Sequence, residues 1–335
     1  MKAFQIQEFG QDGLRMAEVP APEPGYGEVL VDLKAASLNY RDLLMVEGLY
    51  DGRMPLPLIP LSDGAGVVSK LGEGVAGLKV GDRVAGAFFQ SWICGRYSHE
   101  KARGALGGPL PGTLAEQMVL RAEAAVPIPE HLTFEEAATL PCAGVTAWNA
   151  LFAKDPLQPG ESVLVQGTGG VSIFALQFAV AAGASVVVTS SSDEKLARAI
   201  SLGAASGVNY RLHPHWGKDV RNLTGGGVDR VIEVGGAETL AQSLDAVRFG
   251  GRVEVIGVLS GVKAEVPTTM ILHKAIEMRG IYVGSVEMFA AMNRAISTNN
   301  IQPVIGEVFG FEEAPKALRL LESATHFGKI VIRVA

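Results

Sequence analysis

Gly167, Gly169, Gly170 and Ser172 carry the first chemical signal, set in E-S-V-L-V-Q-G-T-G-G-V-S-I-F-A-L-Q-F-A from Glu161 to Ala179. A dinucleotide pyrophosphate needs backbone N–H groups at a helix N-terminus and no Cβ in its path, and a turn of this kind supplies both, with Thr168 and Val171 completing it. Ser172 stands where the usual third glycine governs how closely helix and strand approach, and serine is small enough to fit. About 20 residues past such a turn an NAD enzyme presents Asp or Glu to the adenosine ribose. This chain has S-V-V-V-T-S-S-S-D-E-K instead, with Ser190 in the acid's position and Ser191, Ser192 and Lys195 following. Hydroxyls, the amides of a new helix and an ammonium suit a 2′-phosphate, which an acid would repel. The pattern favours NADPH. A structural reading, in which Ser192 caps the helix while Asp193 and Glu194 complement its dipole, is compatible with it.

A glycine triplet alone is an ordinary strand-to-helix turn, so its meaning depends on the elements around it. Ser162–Val165 is apolar and β-branched enough for a buried parallel strand, and Val171–Ala182 gives a mostly apolar helix to pack on it. Strands follow at Ser185–Thr189, Gly207–Tyr210, Val228–Val234, Arg252–Val258 and Arg279–Val283, with helices at Asp193–Leu202, Trp216–Leu223 and Glu238–Phe249 between them. Strands alternating with helices predict a doubly wound parallel sheet of the Rossmann kind. Up to about Arg121 the chain instead shows short strand-like runs punctuated by Gly and Pro, which predict a compact, mainly β domain. Thr133 is placed to cap a helix as the chain crosses over. The tail, with helices at Met288–Ser297 and Glu312–Ser323 and a strand at Lys329–Val334, is expected to return to the first domain.

The 335 residues suggest about two domains, and 48% apolar residues are ample for two cores. With 19% charged residues and a net charge of −6 there is no basic field to draw nucleic acid or an anionic membrane, so neither is expected as a partner. The start, M-K-A-F-Q-I-Q-E-F-G, alternates like a strand and lacks a long apolar segment with a cleavage site, which predicts a cytoplasmic protein. Cys94 and Cys142 are too few for a disulfide framework or a closed zinc site. His213 and His215 in R-L-H-P-H-W read as a solvated loop, with Asp219 the only acid nearby.

Four motifs together resemble the medium-chain dehydrogenases and reductases, and among them the zinc-independent quinone oxidoreductase branch. They are N-Y-R-D-L-L-M-V-E-G-L-Y at Asn39–Tyr50, P-L-S-D-G-A-G-V-V at Pro60–Val68, V-G-D-R-V at Val80–Val84, and the Gly167 turn followed by V-N-Y and I-G-V-L-S-G. The resemblance implies an α/β architecture: a GroES-like, mainly β catalytic domain from residues 1–127 and 286–335, a Rossmann domain from 128–285, and a cleft between them. It implies cofactor contacts at Thr146, Tyr210, Gly235, Gly257, Val258, Val283, Gly284 and Lys329. Lys329 could instead be a charge on a strand edge. It also implies a homodimer or homotetramer, with the last two strands of the parallel sheet near its exposed edge. Zinc members carry Cys and a His-Glu pair where this chain has Asn39, Ser62 and Asp63. Cys142 stands at a third ligand position, and one thiolate cannot fill a site that wants three protein ligands. The closely spaced cysteines of the family's structural-zinc lobe are reduced to Cys94. No metal is expected, and Cys142 reads as a small apolar residue near the domain hinge.

Without a Lewis acid to polarise an alcohol's oxygen, reduction fits better than alcohol oxidation. A quinone or an α,β-unsaturated carbonyl takes hydride at carbon, and the oxyanion formed needs only donors and a proton. Asn39, Arg41 and Tyr50 are the candidates to supply them. Tyr50 is similar in placement to the proton-donating tyrosine of enoyl-thioester reductases, and could equally be a loop aromatic; Arg41 and Asp42 could form a structural ion pair. Leu49, Phe88 and Trp148 are expected as an apolar wall. Three readings stay open: an NADPH-dependent reductase of quinones or enones, an enoyl-thioester reductase, and a low-turnover NADPH-binding sensor or structural protein.

Overall fold

Short β-branched runs interrupted by Gly and Pro make the first strands: β1 (Lys2–Ile6), β2 (Leu14–Glu18), β3 (Glu28–Ser37), β4 (Asp63–Leu71), β5 (Arg83–Gly86), β6 (Gln117–Arg121) and β7 (Ala125–Pro127). Then come β8 (Ser162–Gln166) and β9 (Ser185–Ser190), near-continuous apolar runs of the kind a parallel sheet covered on both faces requires, and the more mixed β10 (Ser206–Asn209), β11 (Val228–Glu233), β12 (Val247–Val255) and β13 (Glu277–Gly280). Two more strands, β14 (Ile305–Gly310) and β15 (Lys329–Arg333), close the chain. The computed structural model describes every residue except 262 and 264. It divides the chain into two units, Met1–Val145 with Val283–Ala335, and Thr146–Tyr282.

In the first unit β1 and β2 form a hairpin, while β14-β15-β3-β4-β5-β7 make a sheet in that order, with β6 also on β3. Antiparallel registers set Ser37 opposite both Asp63 and Val331. The end of β3 and the starts of β4 and β15 therefore meet at one corner, although they are far apart in sequence. One core lies on each side, around Leu38, Leu61, Leu114 and Ile330, and around Val31, Val68, Val84 and Leu120. The stretch 128–145, which sequence reasoning gives to the Rossmann domain, groups with this unit. Its helix Phe134–Ala137, capped as expected by Thr133, packs on β3 and β4.

The second unit is a parallel sheet in the order β10-β9-β8-β11-β12-β13. Counted from β8 this is 3-2-1-4-5-6, the doubly wound order whose crevice opens beyond the carboxyl ends of β8 and β11. Its core gathers Leu164, Val187, Val231, Leu244 and Val253. The expected strand at Arg279–Val283 is displaced to Glu277–Gly280. Cross-strand ion pairs Arg252–Glu277 at 3.0 Å and Arg279–Glu254 at 2.7 Å fix that register. The helix expected to reach Phe249 ends at Ala246, because Val247 is already extended. No helix among the described residues is long and apolar enough to cross a membrane.

Candidate functional site

In the second unit the site starts where β8 ends. Gly167 adopts φ +68°, the left-handed region glycine enters without strain, and its N–H bonds the Thr189 carbonyl at 2.8 Å. The helix Gly170–Ala181 begins at once, with Gly169 as an N-cap that offers no side-chain acceptor. A Cβ added at Gly169 would meet nothing within 4 Å, so the protein's own packing has no need of glycine there. The open ground before a helix N-terminus with uncapped N–H groups is what an anionic ligand requires. Thr168 is buried, and Gly170 and Val171 are half-buried.

Ser172 does more than fit: its Oγ donates to the Gln166 carbonyl at 2.7 Å and ties the helix back to β8. Gln166 is the hub of a buried network the sequence reading missed. Its Nε2 donates to Glu233 Oε2 at 2.7 Å and Ser243 Oγ at 2.6 Å, and its Oε1 accepts from the N–H groups of Val234 and Gly235. Glu233, fully buried, accepts at Oε1 from the N–H groups of Gly235 and Gly236, both at 2.9 Å, and from Thr239 Oγ1 at 2.6 Å. The loops after β8 and β11 are thus held by one set of side chains. Gly257 locks a third loop to them, because a Cβ there would lie 1.9 Å from the Val234 carbonyl oxygen. The signal was available: Gln166 and Glu233 are polar endings to the otherwise apolar runs V-L-V-Q and V-I-E.

Ser190 is buried at the end of β9, where its Oγ accepts from Ser192 N–H at 3.3 Å. Ser191 is half-buried, and Ser192 caps the next helix through Lys195 N–H at 3.3 Å. The Lys195 ammonium is held below the usual lysine range by partial burial and then by the charge of Arg198, a second cation that sequence reasoning did not weigh. Tyr210, 42% exposed, follows β10 with its N–H on the Ser190 carbonyl. Thr146 is buried and Val258 exposed in this unit. Trp148 turns its ring onto Phe152 and Phe178 of the same unit.

Val283, Gly284 and Lys329 belong to the first unit. Val283 has φ +51°, a strained conformation for a β-branched residue. Lys329 is on no strand edge: β15 lies between β14 and β3, and the side chain is 3% exposed. Its Nζ donates to the Leu38 carbonyl at 2.5 Å and to Asn39 Oδ1 at 2.6 Å, and stands 4.0 Å from Asp63 Oδ2. Asn39 Nδ2 reaches Ser62 Oγ at 3.4 Å, and Ser62 Oγ donates to Asp63 Oδ1 at 2.7 Å. Cys142 N–H donates to Asp63 Oδ2 at 3.1 Å. Burial pushes the Asp63 carboxyl up against the pull of Lys329.

Asp42 accepts from Asn39 N–H at 2.8 Å and pairs with Arg41 at 3.7 Å. Its carboxyl is pushed up to about 7, chiefly by burial. Arg41 is fastened by the carbonyls of Leu106 at 2.8 Å and Gly108 at 2.9 Å, and its guanidinium lies 5.3 Å from the Tyr50 ring centroid and 4.9 Å from that of Phe88. Asn39, Arg41 and Tyr50 therefore share one neighbourhood, joined by Asp42, Ser62, Asp63 and Lys329. Tyr50 is 39% exposed, Leu49 73%. His213 pairs with Asp219 at 3.2 Å on the surface, and no group of three metal-ligating side chains occurs among the described residues.

Residues 25–130 match the model of the alcohol dehydrogenase GroES-like domain, and residues 170–298 that of the zinc-binding dehydrogenases. The zinc-type alcohol dehydrogenase-like protein of Schizosaccharomyces pombe is 46% identical over 97% of this chain and 96% of its own length. The chain belongs to the medium-chain dehydrogenase/reductase family. It is an oxidoreductase of that family, with the GroES-like and Rossmann architecture expected. A solved NAD-dependent alcohol dehydrogenase superposes with a TM-score of 0.92 at 36% identity, covering all of both chains. The quinone oxidoreductase-like protein 2 of Bos taurus is 32% identical over 91% of this chain and 84% of its own length.

Zinc members of the medium-chain family need three protein ligands and an open position. Asn39 and Ser62 are neutral and weak donors for zinc, both oxygens of Asp63 already accept hydrogen bonds, and an ammonium stands beside them. Burial and the Asp63 charge push the Cys142 thiol up, away from the thiolate that zinc would bind. These residues do not fit zinc. The glycine turn, by contrast, fits the nicotinamide dinucleotide of the family.

Proposed function

We propose that this chain is an NADPH-dependent reductase that delivers hydride to a quinone or an α,β-unsaturated carbonyl. The observation that carries the reading is the cluster around Asn39, which offers hydrogen-bond donors and a buried ammonium but no zinc-ligand set. Alcohol oxidation in this family leans on a metal to lower the alcohol's pKa. Reduction of a conjugated carbonyl asks only that the oxyanion be met by donors and then protonated.

The backbone of Gly167, Thr168, Gly169, Gly170 and Val171 would hold the pyrophosphate. Ser190, Ser191 and Lys195, with Arg198, would take the 2′-phosphate beside Tyr210, and Thr146, Gly235, Gly257, Val258, Val283 and Gly284 the nicotinamide half. Bound NADPH supplies the hydride. Asn39 and Arg41 would orient the acceptor oxygen, and Tyr50 or water would return the proton. The bovine relative's name supports a quinone acceptor, whereas the 36%-identical alcohol dehydrogenase, NAD-dependent by its name, supports the opposite cofactor and reaction.

Steady-state assays with a quinone, an enone, an enoyl thioester and simple alcohols, each with both cofactors, decide between these. We expect reduction of the quinone or enone with NADPH preferred by at least about tenfold, or ~1.4 kcal/mol. In Tyr50→Phe, enone turnover should fall by about 10²-fold if Tyr50 is the proton donor, while quinones, which accept protons from water, change little. Rapid alcohol oxidation with NAD and no reduction of either acceptor would overturn the assignment.

A further inference from the structure

We propose that Lys329 is a built-in cation in place of a metal: its ammonium holds Asn39, balances Asp63 and keeps a divalent ion out of the first unit. The positions where zinc members of the family carry Cys and the His-Glu pair are Asn39, Ser62 and Asp63, and in this chain Lys329 Nζ stands against two of the three. An ammonium only donates, so Asn39 must turn Oδ1 toward Lys329 and Nδ2 toward Ser62, which settles an amide orientation otherwise ambiguous. Ser62 Oγ, accepting from Asn39, then donates to Asp63. Every donor in this chain, from ammonium through amide and hydroxyl to carboxylate, points the same way, from a cation to an anion.

The backbone is shaped for the arrangement. Leu61, buried and just before Ser62, is held at φ +68° by hydrogen bonding of its carbonyl to Thr113 N–H, and Thr113 Oγ1 donates to the Asp63 carbonyl at 2.8 Å. Strain of this kind persists only where the surroundings over-determine it. A buried ion pair is a poor stabiliser compared with apolar packing, so its worth here lies in what it positions. The lobe around Cys94 repeats the substitution: Lys101 Nζ donates to the carbonyls of Cys94 at 2.7 Å and Arg96 at 2.8 Å, gathering a loop that other members gather with cysteines.

This inference goes beyond the choice of acceptor, and its tests read stability and metal content rather than turnover. Thermal unfolding of Lys329→Met, Asp63→Asn and the double variant forms a cycle. Lys329→Met should lower Tm by about 10 °C, as removal of one partner of a buried pair implies, and the double variant should regain at least half of that. A single variant that folds only when Asp63→Asn is added supports the proposal equally. Lys329→Met with unchanged Tm, or losses that simply add, overturns it. A second measurement leaves Lys329 in place: wild-type protein held with excess Zn(II) or Co(II) and then desalted should retain far less than one metal per chain. Stoichiometric retention that is abolished by Asp63→Asn or Cys142→Ser would overturn the proposal.

Discussion

Asp42 is the residue whose chemistry is least visible in the sequence, where it reads as half of a structural ion pair with Arg41. The pair exists, but Asp42 is fully buried and faces Asp63 as well as the Arg41 and Lys329 cations and the Asn39 N–H, and desolvation outweighs the favourable partners. A carboxyl with its folded-state value raised from 3.8 to about 7 binds a proton more tightly folded than unfolded. Its contribution to stability is therefore fully present below about pH 4, falls as pH rises through the window up to 7, and is level above it. The change is on the order of a few kcal/mol. Asp42→Asn keeps an acceptor for Asn39 N–H and removes the titration. In urea unfolding the variant should gain on the wild type from pH 5 up to about pH 7 and gain no further from there to pH 8. A constant gap would show that Asp42 titrates normally. Asn39, Ser62 and Asp63 were legible as altered ligand positions, whereas the part played by Lys329 was not, because only strand register brings residue 329 beside residue 39.

The first four strands of the Rossmann unit were legible because their apolar runs fell within a residue or so of the observed elements, whereas β12 starts five residues earlier than the expected Arg252 and the last strand is also displaced. There I-Y-V misled: the register of β13 is set by Glu277 and Arg279 pairing with β12, not by hydrophobicity. The boundary at residues 128–145 was hidden for a similar reason, since capping shows where a helix starts but not which sheet it packs on. Glycine in the turn after β8 offers a test that separates ligand from fold. Gly169 has φ −77°, open to any residue, and no neighbour within 4 Å of an added Cβ. Gly169→Ala should therefore leave Tm within about 2 °C of the wild type while weakening NADPH by tenfold or more in fluorescence titration, about 1.4 kcal/mol. Gly257→Ala, whose methyl would collide with the Val234 carbonyl, should lose both stability and cofactor affinity. Unchanged NADPH affinity in Gly169→Ala would place the cofactor elsewhere.

For the molecule as an assembly, the decisive feature is the outer side of β13. Among the described residues it pairs with one strand, β12, and so forms an edge of the parallel sheet. Proteins guard such edges with free charges, Pro or bulges. Here Glu277 and Arg279 pair with Arg252 and Glu254 of β12, while Met278 between them is 37% exposed. An edge strand whose charges are engaged by its neighbour and whose Met278 is exposed suits a second copy of itself, because a two-fold axis lets the same strand serve both sides. Sedimentation at micromolar concentration should find a dimer or a multiple of it. Met278→Lys, which adds a like charge from each copy at the shared edge, should raise the dimer's dissociation constant by at least about tenfold with the circular dichroism spectrum unchanged. If the wild type sediments as a monomer, the edge is left bare in solution. If Met278→Lys dimerises as well as the wild type, the copies meet through another surface.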